Sequence, residues 1–202
     1  MQPLNGVSLL RRFGGAAQRK LNDFRSERAW RRAGCPVPPP PSFKRALLKE
    51  QARQNGLNVF VETGTLYGET LEAMCGVCKK LHSIELSLEL YKAAVAHFAD
   101  QPKVRLWHGD SGEVLPSVLE TVDRPALFWL DGHYSGPGTA RGALDSPICS
   151  ELEHISEQPI KGHAPHSGGR CAEIYWIWWI PLLGKTLQLC RRARVPAFAG
   201  VV

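Results

Sequence analysis

No stretch of the 202 residues is apolar for long enough to cross a bilayer. The best candidate, Ile174 to Leu183, holds ten residues, one of them proline, where a spanning helix needs about 20; membrane insertion is not expected. Nor is an export signal expected, because Val7 to Leu10 is a short apolar run followed at once by Arg11 and Arg12. The six cysteines, Cys35, Cys75, Cys78, Cys149, Cys171 and Cys190, follow no disulfide framework, which points to a reducing cytoplasmic setting. Cys75-Gly76-Val77-Cys78 has zinc spacing but no second pair, so both cysteines are expected as small core residues, and Cys149 as buried at the start of a helix. There is no internal repeat.

Acidic residues are scarce near the amino terminus. The first 55 residues carry twelve Lys and Arg against Asp23, Glu27 and Glu50, a positive surplus larger than the formal charge of +6 of the whole chain. A basic arm of this kind can face RNA or a membrane. No aromatic platform or nucleic-acid module accompanies it, so a nucleic-acid partner is not expected, and the arm reads as a solvated helical extension over residues 1–35, docked by Phe13, Phe24 and Trp30. A proline-rich linker follows over 36–42, and then a helix over Phe43 to Gln54 that ends at the C-cap Asn55-Gly56.

What the chain does contain is a repeated strand and helix alternation. With 44% apolar residues, its length suits a single core domain, placed at 43–160. Strands are predicted from Val59, and at Leu81 to Leu86, Val104 to His108 and Leu127 to Leu130. Helices are predicted at Glu69 to Lys80, Leu88 to Ala99 and Gly112 to Val122. That order predicts an α/β fold, a Rossmann-like open and mostly parallel sheet with helices on both faces, whose ligands bind beyond the carboxyl ends of the strands. Each later strand ends at or beside an acid: Glu85, Asp110 and Asp131. The first breaks into Glu62-Thr63-Gly64-Thr65-Leu66-Tyr67-Gly68-Glu69-Thr70, a glycine-bearing turn opening a helix.

With these motifs in this order, the stretch from Val59 to Ile155 resembles the class I S-adenosylmethionine-dependent methyltransferases. The resemblance implies a cofactor site made by Glu62, Thr63, Gly64, Thr65, Gly68 and Thr70 of the first turn, by Glu85 for the ribose hydroxyls, and by Asp110 and Ser111 near the adenine. Ribose hydroxyls and the adenine amine are donors, which an ionised carboxylate accepts well. Other readings of the same residues make Glu85 a cap for the helix near Leu88 and Asp110 with Ser111 the N-cap of the next helix. A dinucleotide fold shares the ribose-binding acid, but the chain has no Gly-x-Gly-x-x-Gly. Thr63 and Thr65 depart from the glycine-rich family pattern and are closer to the small-molecule O-methyltransferases.

The resemblance places the reaction centre at Asp131, within Phe128-Trp129-Leu130-Asp131-Gly132-His133-Tyr134. Methyl transfer is an in-line displacement that needs an aligned acceptor and often a base. Asp131 is the leading catalytic residue and His133 the second; Asp131 is also a metal ligand in the version of the chemistry that uses Mg²⁺. The implied acceptor is a small-molecule hydroxyl. The alternatives are an inactive, truncated cofactor-fold protein and a nucleic-acid-binding module.

Beyond residue 160 the character changes. Ala164 to Arg170 contains no strand pattern, and three of the six tryptophans fall at Trp176, Trp178 and Trp179. The sheet is therefore expected to be incomplete or irregular after its fourth strand, with an atypical tail over 161–202. A one-base shift of reading frame would account for this, since tryptophan codons read one base later give glycine, and the same shift permits Ile-Leu-Val-Asp-Asp-Ala-Arg across His166 to Ala172; the other reading is a divergent tail that packs its tryptophans on the sheet.

Overall fold

The computed structural model describes residues 16–36, 39–132, 147–157 and 175–177. In chain order they form α1 (Ala16–Arg32), α2 (Pro41–Gln54), β1 (Val59–Thr63), α3 (Glu69–Met74), β2 (Lys80–Glu85), α4 (Leu88–His97), β3 (Val104–His108), α5 (Ser111–Leu119), β4 (Ala126–Leu130), α6 (Ile148–Glu157) and β5 (Tyr175–Ile177). The strands make one sheet in the order β3-β2-β1-β4-β5, and every pairing is parallel. The chain starts at the middle of the sheet, grows to one side through β2 and β3, then returns to the other side of β1 for β4. The two directions part between β1 and β4, which is where an open sheet of this type leaves a crevice at the strands' carboxyl ends.

Alternation along the strands divides the core. One face gathers Phe60, Leu81, Leu127 and Trp129 against Leu48 and Ala52 of α2, Leu71 and Met74 of α3, and Ala94 of α4. The opposite face packs Val59, Val61, Ile84, Ala126 and Phe128 on Leu115, Val118 and Leu119 of α5 and Ile155 of α6. β1 and β4 are buried at every residue, as near-continuous apolar strands in a sheet covered on both faces must be.

Several elements differ from the expected bounds for local reasons. α2 starts at Pro41, not Phe43, because a proline at the first helical position lacks only an N–H that would be unpaired there. Pro39 and Pro40 are buried, so that part of the predicted linker packs against the domain. α3 ends at Met74, well before Lys80: the Lys103 ammonium caps the Cys75 carbonyl, and the N–H groups of Lys79 and Lys80 turn to the Asn58 carbonyl at 2.8 and 3.1 Å to start β2. Cys78 is buried and Cys75 lies partly buried against the same core. Cys149, expected inside, is exposed, since α6 turns Ile148, Leu152 and Ile155 inward instead.

The amino-terminal helix is docked, though not as expected throughout. Trp30 stacks at 4.9 Å on Phe43, and Arg45 joins Asp23 of α1 at 2.7 Å to Glu69 of α3 at 2.8 Å. Phe24, in contrast, is 63% exposed, because Asp23, Glu27 and Trp30 form the inward stripe of α1 and Phe24 falls outside it; Phe13 lies outside the described residues.

The sheet continues beyond β4. After the fourth strand the described sheet adds only three residues, Tyr175–Ile177, with Leu127 opposite Tyr175 and Trp129 opposite Ile177. Aromatic and β-branched residues suit a pleated strand, and this strand comes from the tryptophan-rich run itself. Residues 166–172, where the frame-shifted strand was placed, lie outside the described residues.

Candidate functional site

The carboxyl ends of β1, β2 and β4 converge on the first turn. Gly64 follows β1 with φ of +85°, and a Cβ there would stand 2.8 Å from the Asp131 carbonyl. Its glycine is thus required by the approach of the β4 end, a reason in addition to any ligand. The turn is fastened to β2 by the Gly64 N–H, which donates to the Ile84 carbonyl at 2.9 Å. Leu66 adopts a left-handed φ of 49°, a conformation that costs a side-chain-bearing residue about 1–2 kcal/mol. Its N–H donates to Glu85 Oε2 at 2.8 Å, which holds the turn in that shape. Gly68, also left-handed at φ 69°, begins α3 without any side-chain cap. Thr70 is half-buried in the first turn of that helix.

Glu85 sits at the end of β2 with one oxygen on the Leu66 N–H and the other on the Ser87 N–H at 2.9 Å. It does not cap α4; Ser87 does, its Oγ accepting from Leu90 N–H. Burial raises the Glu85 pKa, and the Ser87 and Leu66 N–H groups pull it back. Each carboxylate oxygen retains acceptor capacity after its one backbone bond, which fits hydroxyl donors from a ribose. Asp110 is the N-cap of α5, its Oδ1 accepting from Gly112 N–H at 2.9 Å.

Glu62 is almost wholly buried. Ser83 Oγ donates to its Oε1 at 2.7 Å, so the Thr65 hydroxyl, 2.5 Å from Ser83 Oγ, must donate in turn to Ser83. Burial dominates and pushes the Glu62 pKa up to about 8, with the Asp131 and Glu85 charges adding to the rise. Thr65 therefore serves the underside of the turn.

On the other face of β1, Thr63 Oγ1 accepts the Gly132 N–H at 3.2 Å, and the Thr63 carbonyl accepts the Asp131 N–H at 3.1 Å. This pair of bonds places Asp131 at the mouth of the crevice, half-buried. His133, its expected companion, lies outside the described residues. Among the described residues no three His, Cys, Asp or Glu side chains are arranged to hold a metal ion.

One site residue escaped the sequence reading. Glu151 of α6 is 1% exposed; burial raises its pKa, the Ser111 and Thr63 hydroxyls lower it and Asp110 raises it further. Its sequence signal was an acid in an apolar stripe: Ile148, Glu151, Leu152 and Ile155 share one helical face.

Fold and site together define a Rossmann-like α/β protein with an acid-lined crevice at the switch point of its sheet. No family model matches the chain, and no curated protein matches it. Among solved structures it is similar to the O-methyltransferase TomG from Streptomyces achromogenes in complex with SAM, at 20% identity over 54% of this chain and 52% of that one, with a TM-score of 0.38. It is also similar to the SAH-bound methyltransferase PaMTH1 of Podospora anserina, at 14% identity over 80% of this chain and 68% of that one, TM-score 0.47. A third likeness is to the [4+2]-cyclase SpnF, at 15% identity over 74% of this chain and 56% of that one, TM-score 0.45. The chain spans about half the length of TomG.

Proposed function

We propose that the crevice binds S-adenosylmethionine and that the protein is a methyltransferase of the class I type, acting on the hydroxyl of a small molecule. The observation that carries this reading is the coupling of Glu85 to the first turn: one carboxylate at the end of β2 both fixes the strained Leu66 N–H and keeps lone pairs for vicinal hydroxyls. The turn through Gly64 and Gly68 would hold the amino acid end of the cofactor, and Asp110 with Ser111 would border its base. When bound, the cofactor supplies an electrophilic methyl group on a sulfonium.

The chain's own contribution is positioning. Thr63 holds the Asp131 and Gly132 backbone, so the Asp131 carboxylate stands where an acceptor hydroxyl can hydrogen-bond to it and lose its proton during in-line attack. Desolvated Glu62 stays largely protonated at neutral pH beneath the turn, which keeps a further negative charge away from Asp131.

Calorimetric titration of S-adenosylmethionine into the chain tests the reading. Binding is expected, and Glu85→Ala should weaken it by about tenfold or more, since a charge-assisted hydrogen bond contributes about 1.5–3 kcal/mol. If the wild-type chain takes up neither S-adenosylmethionine nor S-adenosylhomocysteine, the proposal fails.

A further inference from the structure

The turn between β1 and α3 is fastened at three points. At its entry the Gly64 N–H donates to the Ile84 carbonyl at 2.9 Å, and at its middle the Leu66 N–H donates to Glu85 at 2.8 Å; both partners belong to β2. The exit is the weak point. Gly68 is left-handed at φ 69° and gives α3 no side-chain cap, and a helix of six residues is too short to hold itself in water. Its first residue, Glu69, is held from outside: Arg45 of α2 donates through Nη1 to Glu69 Oε2 at 2.8 Å.

Arg45 is placed for this by its own helix. It lies on the stripe of α2 that buries Leu48 and Ala52, so its side chain is only 12% exposed. A guanidinium taken so far out of water needs acceptors for its fork of N–H groups. Nη2 finds the second one in Asp23 Oδ2 of α1 at 2.7 Å. Exposed ion pairs contribute little, but these two acids share a single, nearly buried cation, and removing either leaves that cation short of a partner.

We infer that Arg45 is a positioning residue for the first turn: it transmits the docking of α1, through Asp23, to Glu69 and so to the Gly68 exit of the turn. The amino-terminal helix, which lies outside the sheet, thereby becomes part of the turn's support. The inference deepens the methyltransferase reading, on which that turn holds the amino acid end of the cofactor. Linkage makes the effect reciprocal, so that a ligand which orders the turn also tightens α1.

The test is amide hydrogen exchange, followed by NMR on the full chain without cofactor and read at Gly68 and Glu72, whose N–H groups donate to the Thr65 and Gly68 carbonyls at 2.8 Å each. Arg45→Met keeps an unbranched apolar stem and removes the fork. Exchange at both amides is expected to rise by about tenfold, while Phe60 and Val61 in the core of β1 keep their protection. Asp23→Ala alters only α1; it should raise the same two amides by about threefold or more, and should add nothing in the Arg45→Met background. Unchanged exchange at Gly68 and Glu72 in Arg45→Met overturns the inference, and so does an Asp23 effect of equal size with and without Arg45. Should Arg45→Met fail to fold, Asp23→Ala decides alone, and exchange that does not rise in it overturns the inference equally. Titration with S-adenosylmethionine is a separate readout: both variants are expected to bind it about threefold to tenfold more weakly, and affinities equal to wild type overturn the positioning role. A wild-type chain that shows the exchange pattern but binds no cofactor retains the tie through Arg45 and loses the methyltransferase reading.

Discussion

Gly64 illustrates how one position serves two constraints. Its φ of +85° lies where a side chain is strained, and the space a Cβ would need is taken by the Asp131 carbonyl at 2.8 Å. Left-handed strain alone costs about 1–3 kcal/mol, and the backbone clash adds to it. Gly64→Ala is therefore expected to lower the thermal midpoint clearly and to abolish cofactor binding, whereas Gly132→Ala, whose nearest neighbours are hydroxyl-bearing side chains at 3.1–3.2 Å, should be milder. Thermal melts of the two variants compare them directly; equal effects would contradict this account. The glycine was evident in the sequence as a turn residue. Its contact with β4 was not, because the two segments are far apart in the chain.

At the level of elements, α5 contains a defect that α6 repairs. Pro116 lies inside the helix and has no N–H to offer the Gly112 carbonyl one turn earlier. His154 of α6 meets that carbonyl at 3.0 Å; because a carbonyl only accepts, Nε2 carries the proton. His154→Ala should cost about 1 kcal/mol, read as a shift of the denaturation midpoint. In a Pro116→Ala background the helix supplies its own N–H, and the same histidine change should cost distinctly less, a coupling that a double-mutant cycle measures. Identical costs in both backgrounds would mean that the histidine does not serve this carbonyl. Both residues were plain in the sequence, but the bond joins helices on either side of β4, so no local pattern announced it.

For the whole molecule, two buried titratable groups shape the pH dependence. Glu62 has an ordinary pKa of 4.5, pushed up to about 8 by burial. The folded protein keeps a proton that the unfolded chain releases, so stability is full below about 4.5 and falls as pH rises toward about 8. Glu85 and Glu151 are raised as well and act in the same direction. His82, with Trp107 Nε1–H donating to its Nδ1 at 3.2 Å, is lowered by burial from 6.5 to about 4. It stays neutral when folded, so its contribution is present above about 6.5 and is lost as pH falls toward about 4. Between 4.5 and 6.5 the two groups oppose each other, and above 6.5 Glu62 acts unopposed. The thermal midpoint is expected to decline from pH 6.5 to 8, and Glu62→Gln should flatten that decline and expose a fall on the acid side. A midpoint that stays flat in wild type, or declines unchanged in the variant, rules this assignment out.

The sequence by itself determined the α/β alternation, the strand-end acids and the N-cap at Asp110, because these depend on residues close in the chain: apolar runs, turn glycines and capping spacings. It misjudged Cys149 and Phe24, whose exposure depends on how each helix is rotated against its neighbours. Glu62 and Glu85 stood out in the sequence as strand-end acids, but their hydrogen bonds did not. That Glu85 braces Leu66, that Ser83 and Thr65 support a Glu62 held neutral, and that Glu151 is buried were decided by tertiary structure. Strand order and helix docking bring these groups within hydrogen-bonding distance, and burial then sets their charge.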